Sequence, residues 1–384
     1  MYSSRVPHDL RPTAWARARA ARGTVPFDLT VSNPTLCGFT YPHGLLDPLN
    51  DPAALHYRPD PKGIRSAREA VTREYAARGV EVDPERIVVT ASSSESYGFL
   101  FKLLCNPGDT VLVPTPSYPL FAHLAALEGV RVARFSLDPA NGWQPHPPEP
   151  EVAKDARAAI VVHPNSPTGS WVDPTAAERL TRRADGASIP LIVDEVFLDF
   201  PLASRDHPRS FAARAAGLTF TLGGLSKSRG LPQLKLSWIV ASGPDAELAG
   251  ALEALEFIGD SYLSVGTPIQ GALPEILNRA APLRDAILLR CRENLSLAGG
   301  IVREVPSVTL LPPGGGWSVV LRFPRVVTEE ALVLELLDRH GVAVYPGYFF
   351  DFPSDGYLVV SLLPDPRTFE EGFKFVLATI ASRL

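Results

Sequence analysis

Lysine is scarce in this chain: of 37 basic residues only six are lysine (Lys62, Lys102, Lys154, Lys227, Lys235 and Lys374), so arginine carries nearly all the positive charge. Cysteine is scarce too. Cys37, Cys105 and Cys291 are odd in number and far apart, which argues against a disulfide framework and for free thiols in a reducing compartment. No stretch approaches the ~18 apolar residues of a membrane helix. Met1 to Pro12 has no apolar core of a leader, so no signal peptide is expected, and the cytoplasm is the predicted location. The eight histidines are scattered without ligand spacing, which predicts no metal. A net charge of −5 gives no basic field for nucleic acid or an anionic membrane. Internal repeats are absent. What remains is ordinary globular composition, 45% hydrophobic and 21% charged, over 384 residues, enough for a large core and two domains.

Against that scarcity, two of the six lysines fall in one short connection. An apolar run, Leu218 to Leu222, enters Gly223-Gly224, and Lys227 and Lys235 follow before a second apolar run from Leu236 to Val240. Apolar runs bounded by glycine and proline read as buried strands. An amine between two buried strands is costly unless something uses it. Lysine, unlike arginine, can lose its proton and attack a carbonyl to form a Schiff base.

Other stretches have a similar strand-then-turn texture. Arg86 to Thr90 reads as a strand, followed by Ala91-Ser92-Ser93-Ser94 and an apolar helix from Tyr97 to Leu104. A small-residue turn at a helix N-terminus offers free N–H groups and the positive dipole end to an anion. Thr110 to Val113 is a strand leading to Pro114-Thr115-Pro116-Ser117-Tyr118-Pro119, and Ala158 to Val162 leads to Pro164-Asn165-Ser166-Pro167-Thr168-Gly169. Pro190 to Phe197 is an apolar strand that ends in Asp194-Glu195, and an acid at that end of a buried α/β strand sits where such folds bind ligands. Ser32-Asn33-Pro34-Thr35 reads as a turn. Tyr57 to Gly63 precedes an amphipathic helix with Ile64, Ala67, Val71 and Tyr75 on its buried stripe. Alternating strands and helices from 65 to 240 predict an α/β fold, mainly a parallel sheet with helices on both faces, plus a smaller α+β domain. The expected organisation is an N-terminal segment 1–44 joined to a small domain 269–384, with a large domain at 45–268. Helices are expected at Trp15 to Arg22, Asp245 to Phe257, Ile269 to Leu297, Thr328 to His340 and from Pro366 to the end.

Ser226-Lys227 followed by Leu231-Pro232-Gln233-Leu234-Lys235, with Pro-Asn-Ser-Pro-Thr-Gly and Asp194 upstream in order, resembles the class I/II aminotransferases, the fold-type I enzymes that use pyridoxal 5′-phosphate (PLP). The resemblance covers most of the chain. It implies that Lys227 is the Schiff-base lysine and that Asp194 keeps the pyridine nitrogen protonated, making the ring an electron sink. It places Ser93, Ser94, Ser226 and Lys235 at the cofactor phosphate, Tyr118 on the ring face, and Asn165, Ser166 and Phe197 near the ring hydroxylate. It puts Tyr57 at the phosphate of a partner subunit in a homodimer, and Ser32 and Asn33 at the substrate. The implied activity moves an amino group between an amino acid or amine and a 2-oxo acid. A PLP-dependent lyase or decarboxylase, or a non-catalytic PLP-binding protein, would share the scaffold.

The chain departs from the family pattern at several positions. The family's asparagine before the Pro-Thr-Gly is Ser166, its frequent tyrosine is Phe197, a frequent phosphate-binding serine is Gly224, and its phosphate-binding arginine is Lys235. The arginine that grips the substrate α-carboxylate is Val359, two residues before Ser361, and valine cannot form that pair. Arg229, close to the lysine, is the candidate replacement, as are backbone N–H groups near Ser32 and Asn33.

Overall fold

A computed structural model describes residues 3–7, 9–182, 188–203 and 209–383; Met1, Tyr2, His8 and Leu384, inside two stretches interpreted above, lie outside the described residues. The fold is of the α/β type, built on an eight-stranded sheet. Its strands run, side by side, Ile87–Thr90, Ser237–Ser242, Thr219–Gly224, Leu191–Asp194, Ala156–Val162, Thr110–Thr115, Arg131–Asp138 and Gln144–Pro145. Pairing is parallel from Thr219–Gly224 through to Arg131–Asp138, whereas Ser237–Ser242 is antiparallel to both of its neighbours. Ile87–Val89, Val111–Val113, Ala158–Val162, Leu191–Val193 and Phe220 are all buried, as the continuous apolar runs require of a sheet covered on both faces.

A four-stranded antiparallel sheet stands apart, in the order Thr309–Leu311, Ser318–Arg322, Tyr357–Ser361, Tyr345–Pro346. The N-terminal segment joins this part of the chain. Phe27–Asp28 pairs in parallel with Val342–Ala343, and the Ser361 N–H donates to Leu29 O at 2.8 Å. The expected helices at both ends form, as Ala14–Arg22 and Pro366–Ala381. The single helix expected across 269–297 is two, Thr267–Arg279 and Ala281–Ile301, broken at Ala280. Pro282 favours the break, because it has no N–H to donate and is best placed in the first turn of a new helix, although Pro274 is accommodated inside Thr267–Arg279. The helix from Thr328 is α-helical over Glu329–Glu335, then π-helical over Leu336–His340, and Gly341 caps it at φ 66°.

The topology positions the site. Thr90, Thr115, Val162, Asp194 and Gly224 are strand ends on one edge of the large sheet, and Ser237, which pairs with both Gly224 and Thr90, begins its antiparallel strand on that edge. The turns that follow these strand ends therefore leave the sheet on the same side.

Candidate active site

Lys227 lies on a one-turn helix, Leu225–Ser228, directly after Gly224. Local bonds pin that turn: Ser228 Oγ donates to Gly224 O at 2.8 Å, and the N–H groups of Arg229 and Leu231 both reach Leu225 O. Two glycines are needed before it. A Cβ on Gly223 would lie 2.4 Å from Trp238 Nε1, and one on Gly224 would lie 2.2 Å from Ser237 Oγ. This is why no serine can stand at 224. Nζ of Lys227 faces the rings of Phe197 and Trp317, 5.7 and 5.2 Å from their centroids. Among the described residues it has no hydrogen-bond or salt-bridge partner. Burial lowers its proton affinity, and the charge of Asp194 opposes that shift without cancelling it.

Asp194 is the buried acid of the site. Tyr97 donates its hydroxyl to Oδ2 at 3.0 Å and the Val196 N–H donates to Oδ1 at 3.1 Å. Desolvation pushes the Asp194 carboxyl up despite both bonds. Tyr97 did not stand out in the sequence because it fits the apolar stripe of its helix. Its fully buried hydroxyl holds the acid in place. Glu195, the neighbouring acid, does other work. It accepts from Ser210 Oγ at 2.6 Å and from the Phe211 N–H at 2.7 Å, tying down the Phe211–Ala213 turn. Burial raises its pKa from 4.5 to about 7. A carboxylate raised in the fold destabilises it on ionising, so stability should fall as pH climbs from about 4.5 through 7. Glu195→Gln should remove that fall. Relative to wild type, its stability should gain about 2.5 kcal/mol between pH 5 and pH 8. Urea unfolding at the two pH values checks this, and a pH-independent difference would refute it.

Ser93 and Ser94 open the helix Ser93–Leu104. Ser92 caps it, with Oγ accepting the Glu95 N–H at 3.1 Å, while its carbonyl takes the Ser96 N–H. The N–H groups of Ser93 and Ser94 have no acceptor within the helix. Glu95 directs its carboxylate to the Ala91 N–H at 2.6 Å and Ser264 Oγ at 2.7 Å. Lys235 is exposed, in the left-handed region at φ 49°, two residues before Ser237, and so on the sheet edge where this turn begins. Tyr118 is 40% exposed and meets Phe121 edge-on at 5.8 Å; Asp194 contributes to raising its pKa, after burial. Ser166 is partly buried beside the Ser166-Pro167 bond, Phe197 packs edge-on against Trp317 at 5.3 Å, and Ser226 adjoins the lysine. Tyr57 is 76% exposed.

Two of the sequence expectations need correction. Asn165 is not a free donor. Its Nδ2 donates to Pro116 O at 3.1 Å and Thr168 Oγ1 at 2.9 Å, and its Oδ1 accepts from Ser117 Oγ at 2.8 Å. Buried with all three groups engaged, it fastens the turn to the Tyr118 loop and cannot swing towards a ligand. Arg229 is not a substrate clamp. It is 2% exposed, donates to Leu277 O at 3.0 Å and Ser228 O at 3.1 Å, pairs with Glu74, and lies 3.6 Å from Asp199. The segment that carries Ser32 and Asn33 meets the Tyr357–Ser361 strand at Val31, whose carbonyl accepts from Ser361 Oγ at 2.5 Å. The Asn33 side-chain oxygen is occupied, capping Thr35 through its N–H and hydroxyl at 3.1 and 2.8 Å.

An unpartnered amine of low proton affinity, a buried acid, an aromatic ring and a hydroxyl-lined helix N-terminus on one sheet edge suit a flat, phosphorylated aldehyde. The donor set fits PLP. The architecture is that of the fold-type I PLP enzymes. The sequence profile described as aminotransferase class I and II matches residues 45–368, and the chain belongs to that family, whose members are PLP-dependent. Among curated relatives, the glutamate-pyruvate aminotransferase AlaA of Escherichia coli (strain K12) is 26% identical over 376 residues, covering 94% of this chain and 92% of that one. An alanine aminotransferase of Mycobacterium tuberculosis (strain H37Rv) is 28% identical, covering 88% and 82%. Among solved structures, an Escherichia coli aminotransferase superposes with a TM-score of 0.82 at 25% identity, covering 100% of this chain and 97% of that one. No helix among the described residues is long and apolar enough to cross a membrane.

Proposed function

We propose that this chain moves an amino group from an amino acid or amine to a 2-oxo acid, with PLP carried on Lys227. The observation that supports it most directly is the Lys227 amine, without a partner, on the same sheet edge as the buried Asp194. When bound, PLP supplies an electron sink for the bond broken at the donor carbon. The protein does the rest. Lys227, its proton affinity lowered by burial, would take and return the proton of that carbon. Asp194, steadied by Tyr97, holds a proton at the pyridine nitrogen. Ser93, Ser94, Ser226 and Lys235 would hold the phosphate, Tyr118 would cover the ring, and Ser32 would border the substrate. Residues 45–268 form the large domain, and 1–44 with 269–384 the small one, a division supported by the two separate sheets. The working assembly is a homodimer in the cytoplasm. Leu36, Leu46, Leu55, Tyr57, Phe257 and Tyr262 are exposed apolar side chains that a second copy would cover, and the partner's Tyr57 would then reach the phosphate. The test is a panel of amino donors with pyruvate and 2-oxoglutarate. Appearance of the amino product of the acceptor supports the reading, whereas donor breakdown without it indicates a lyase or decarboxylase.

The ring hydroxyl of PLP would meet Ser166 and Phe197, one weak donor and one non-donor, with Asn165 locked elsewhere. Phe197→Tyr should therefore add a bond to a charged oxygen, worth about 1.5–3 kcal/mol. The pH-dependent absorbance transition of the PLP-loaded protein should move down by roughly one to two units. A spectral titration checks it, and identical curves would show that other groups set the environment of that oxygen.

A further inference from the structure

We propose that the amino donor is a primary amine whose reacting carbon bears no carboxylate and whose body is aromatic or alkyl. This rests on the transaminase reading and narrows it. Val359 is 2% exposed and belongs to an apolar cluster with Val320 and Tyr357, against which Tyr345 and Phe350 pack. That cluster borders the site, since the Phe350 carbonyl accepts the Ser117 N–H at 3.0 Å, next to Tyr118. Val359, where the resemblance would put the carboxylate-gripping arginine, is therefore surrounded by hydrocarbon. Nearby arginines are committed elsewhere. Arg229 is paired with Glu74 and Asp199. Arg290 reaches Leu363 O at 3.3 Å and lies over the Phe39 ring at 4.9 Å. The rings of Phe197 and Trp317 face the Lys227 amine, and Asp194 is the buried anion of the site. A carboxylate entering this site would lose its water and meet an anion, and of the two site lysines among the described residues Lys235 is assigned to the phosphate and Lys227 must react. A neutral apolar body meets only rings.

The chemistry balances without an outside oxidant. The donor's C–N and C–H bonds break and its carbon becomes a carbonyl, a two-electron oxidation. The acceptor's carbonyl carbon gains the nitrogen and a hydrogen, the matching reduction, and the water taken up in one half is released in the other. A 2-oxo acid acceptor faces the same absence of a cation, so its KM should be high.

The test uses the full-length PLP-loaded protein with 2-phenylethylamine and L-phenylalanine, which differ by the carboxylate alone, and pyruvate as acceptor. We expect kcat/KM for the amine to exceed that for the amino acid by at least tenfold. Val359→Arg should narrow or invert the ratio while leaving the amine's own value within a few-fold. Because an arginine there could prevent folding, a calorimetric comparison on wild type runs beside it: 3-phenylpropionate should bind no tighter than 3-phenylpropanamide. A tenfold preference for phenylalanine, or tighter binding of the carboxylate, overturns the inference alone. Alanine formed from neither donor, nor from any other amine in the panel, overturns the transaminase reading, and the inference with it.

Discussion

Lys227→Met should abolish amino transfer, lowering kcat by on the order of 10⁴-fold or more, without lowering the stability of the PLP-free protein. The two halves of this expectation have one cause. The lysine amine is held among Phe197 and Trp317 with no hydrogen bond, and its charged form is disfavoured there. Removing a desolvated, unpartnered amine does not cost the fold a bond. It removes both the covalent anchor of the cofactor and the base at the donor carbon, and each role accounts for a large share of the rate. Lys227→Arg should fail equally, because a guanidinium does not lose its proton in a protein. Steady-state kinetics and urea midpoints of the PLP-free proteins check both halves. An arginine variant with more than a tenth of wild-type activity would contradict the assignment.

Arg229→Met should destabilise the protein by about 3–5 kcal/mol, the cost of breaking a buried ion pair from one side. Its guanidinium is 2% exposed, while Glu74 and Asp199 have side chains only 19% and 9% exposed. Arg78, 2.6 Å from Asp199 and 3.9 Å from Glu74, would still compensate one of them, so the lower end of the range is expected. Adding Glu74→Gln should recover part of the loss, because the stranded anion is then gone. Since Arg229 also fastens the lysine turn to Leu277 O, activity should fall as well. The double variant should regain stability without regaining full activity. Urea midpoints of the single and double variants decide it; a stability change under 1 kcal/mol in Arg229→Met would show the cluster to be inconsequential.

The large sheet was legible because its central strands are buried on both faces and so appear as unbroken apolar runs. Lys227 and Asp194 were legible for a physical reason, ionisable groups at the ends of such runs. What misled the reading was the hydrogen-bond inventory of single side chains. Arg229 looked available because it follows the lysine by two residues, yet its partners Glu74, Asp199 and Leu277 lie far from it in the chain. Asn165 stood where a donor was wanted, but two tertiary bonds and a local one to Thr168 occupy both of its N–H groups and its oxygen. Tyr97 was hidden by the opposite effect, an apolar stripe position whose hydroxyl finds Asp194 97 residues away. The break at Ala280 was visible in Pro282, but the apolar periodicity runs through it and outweighed the proline.

The most direct measurement is borohydride reduction of the PLP-loaded protein followed by peptide mass spectrometry. The account predicts the fixed cofactor on Lys227. Label found on Lys235, or on no lysine at all, would contradict it.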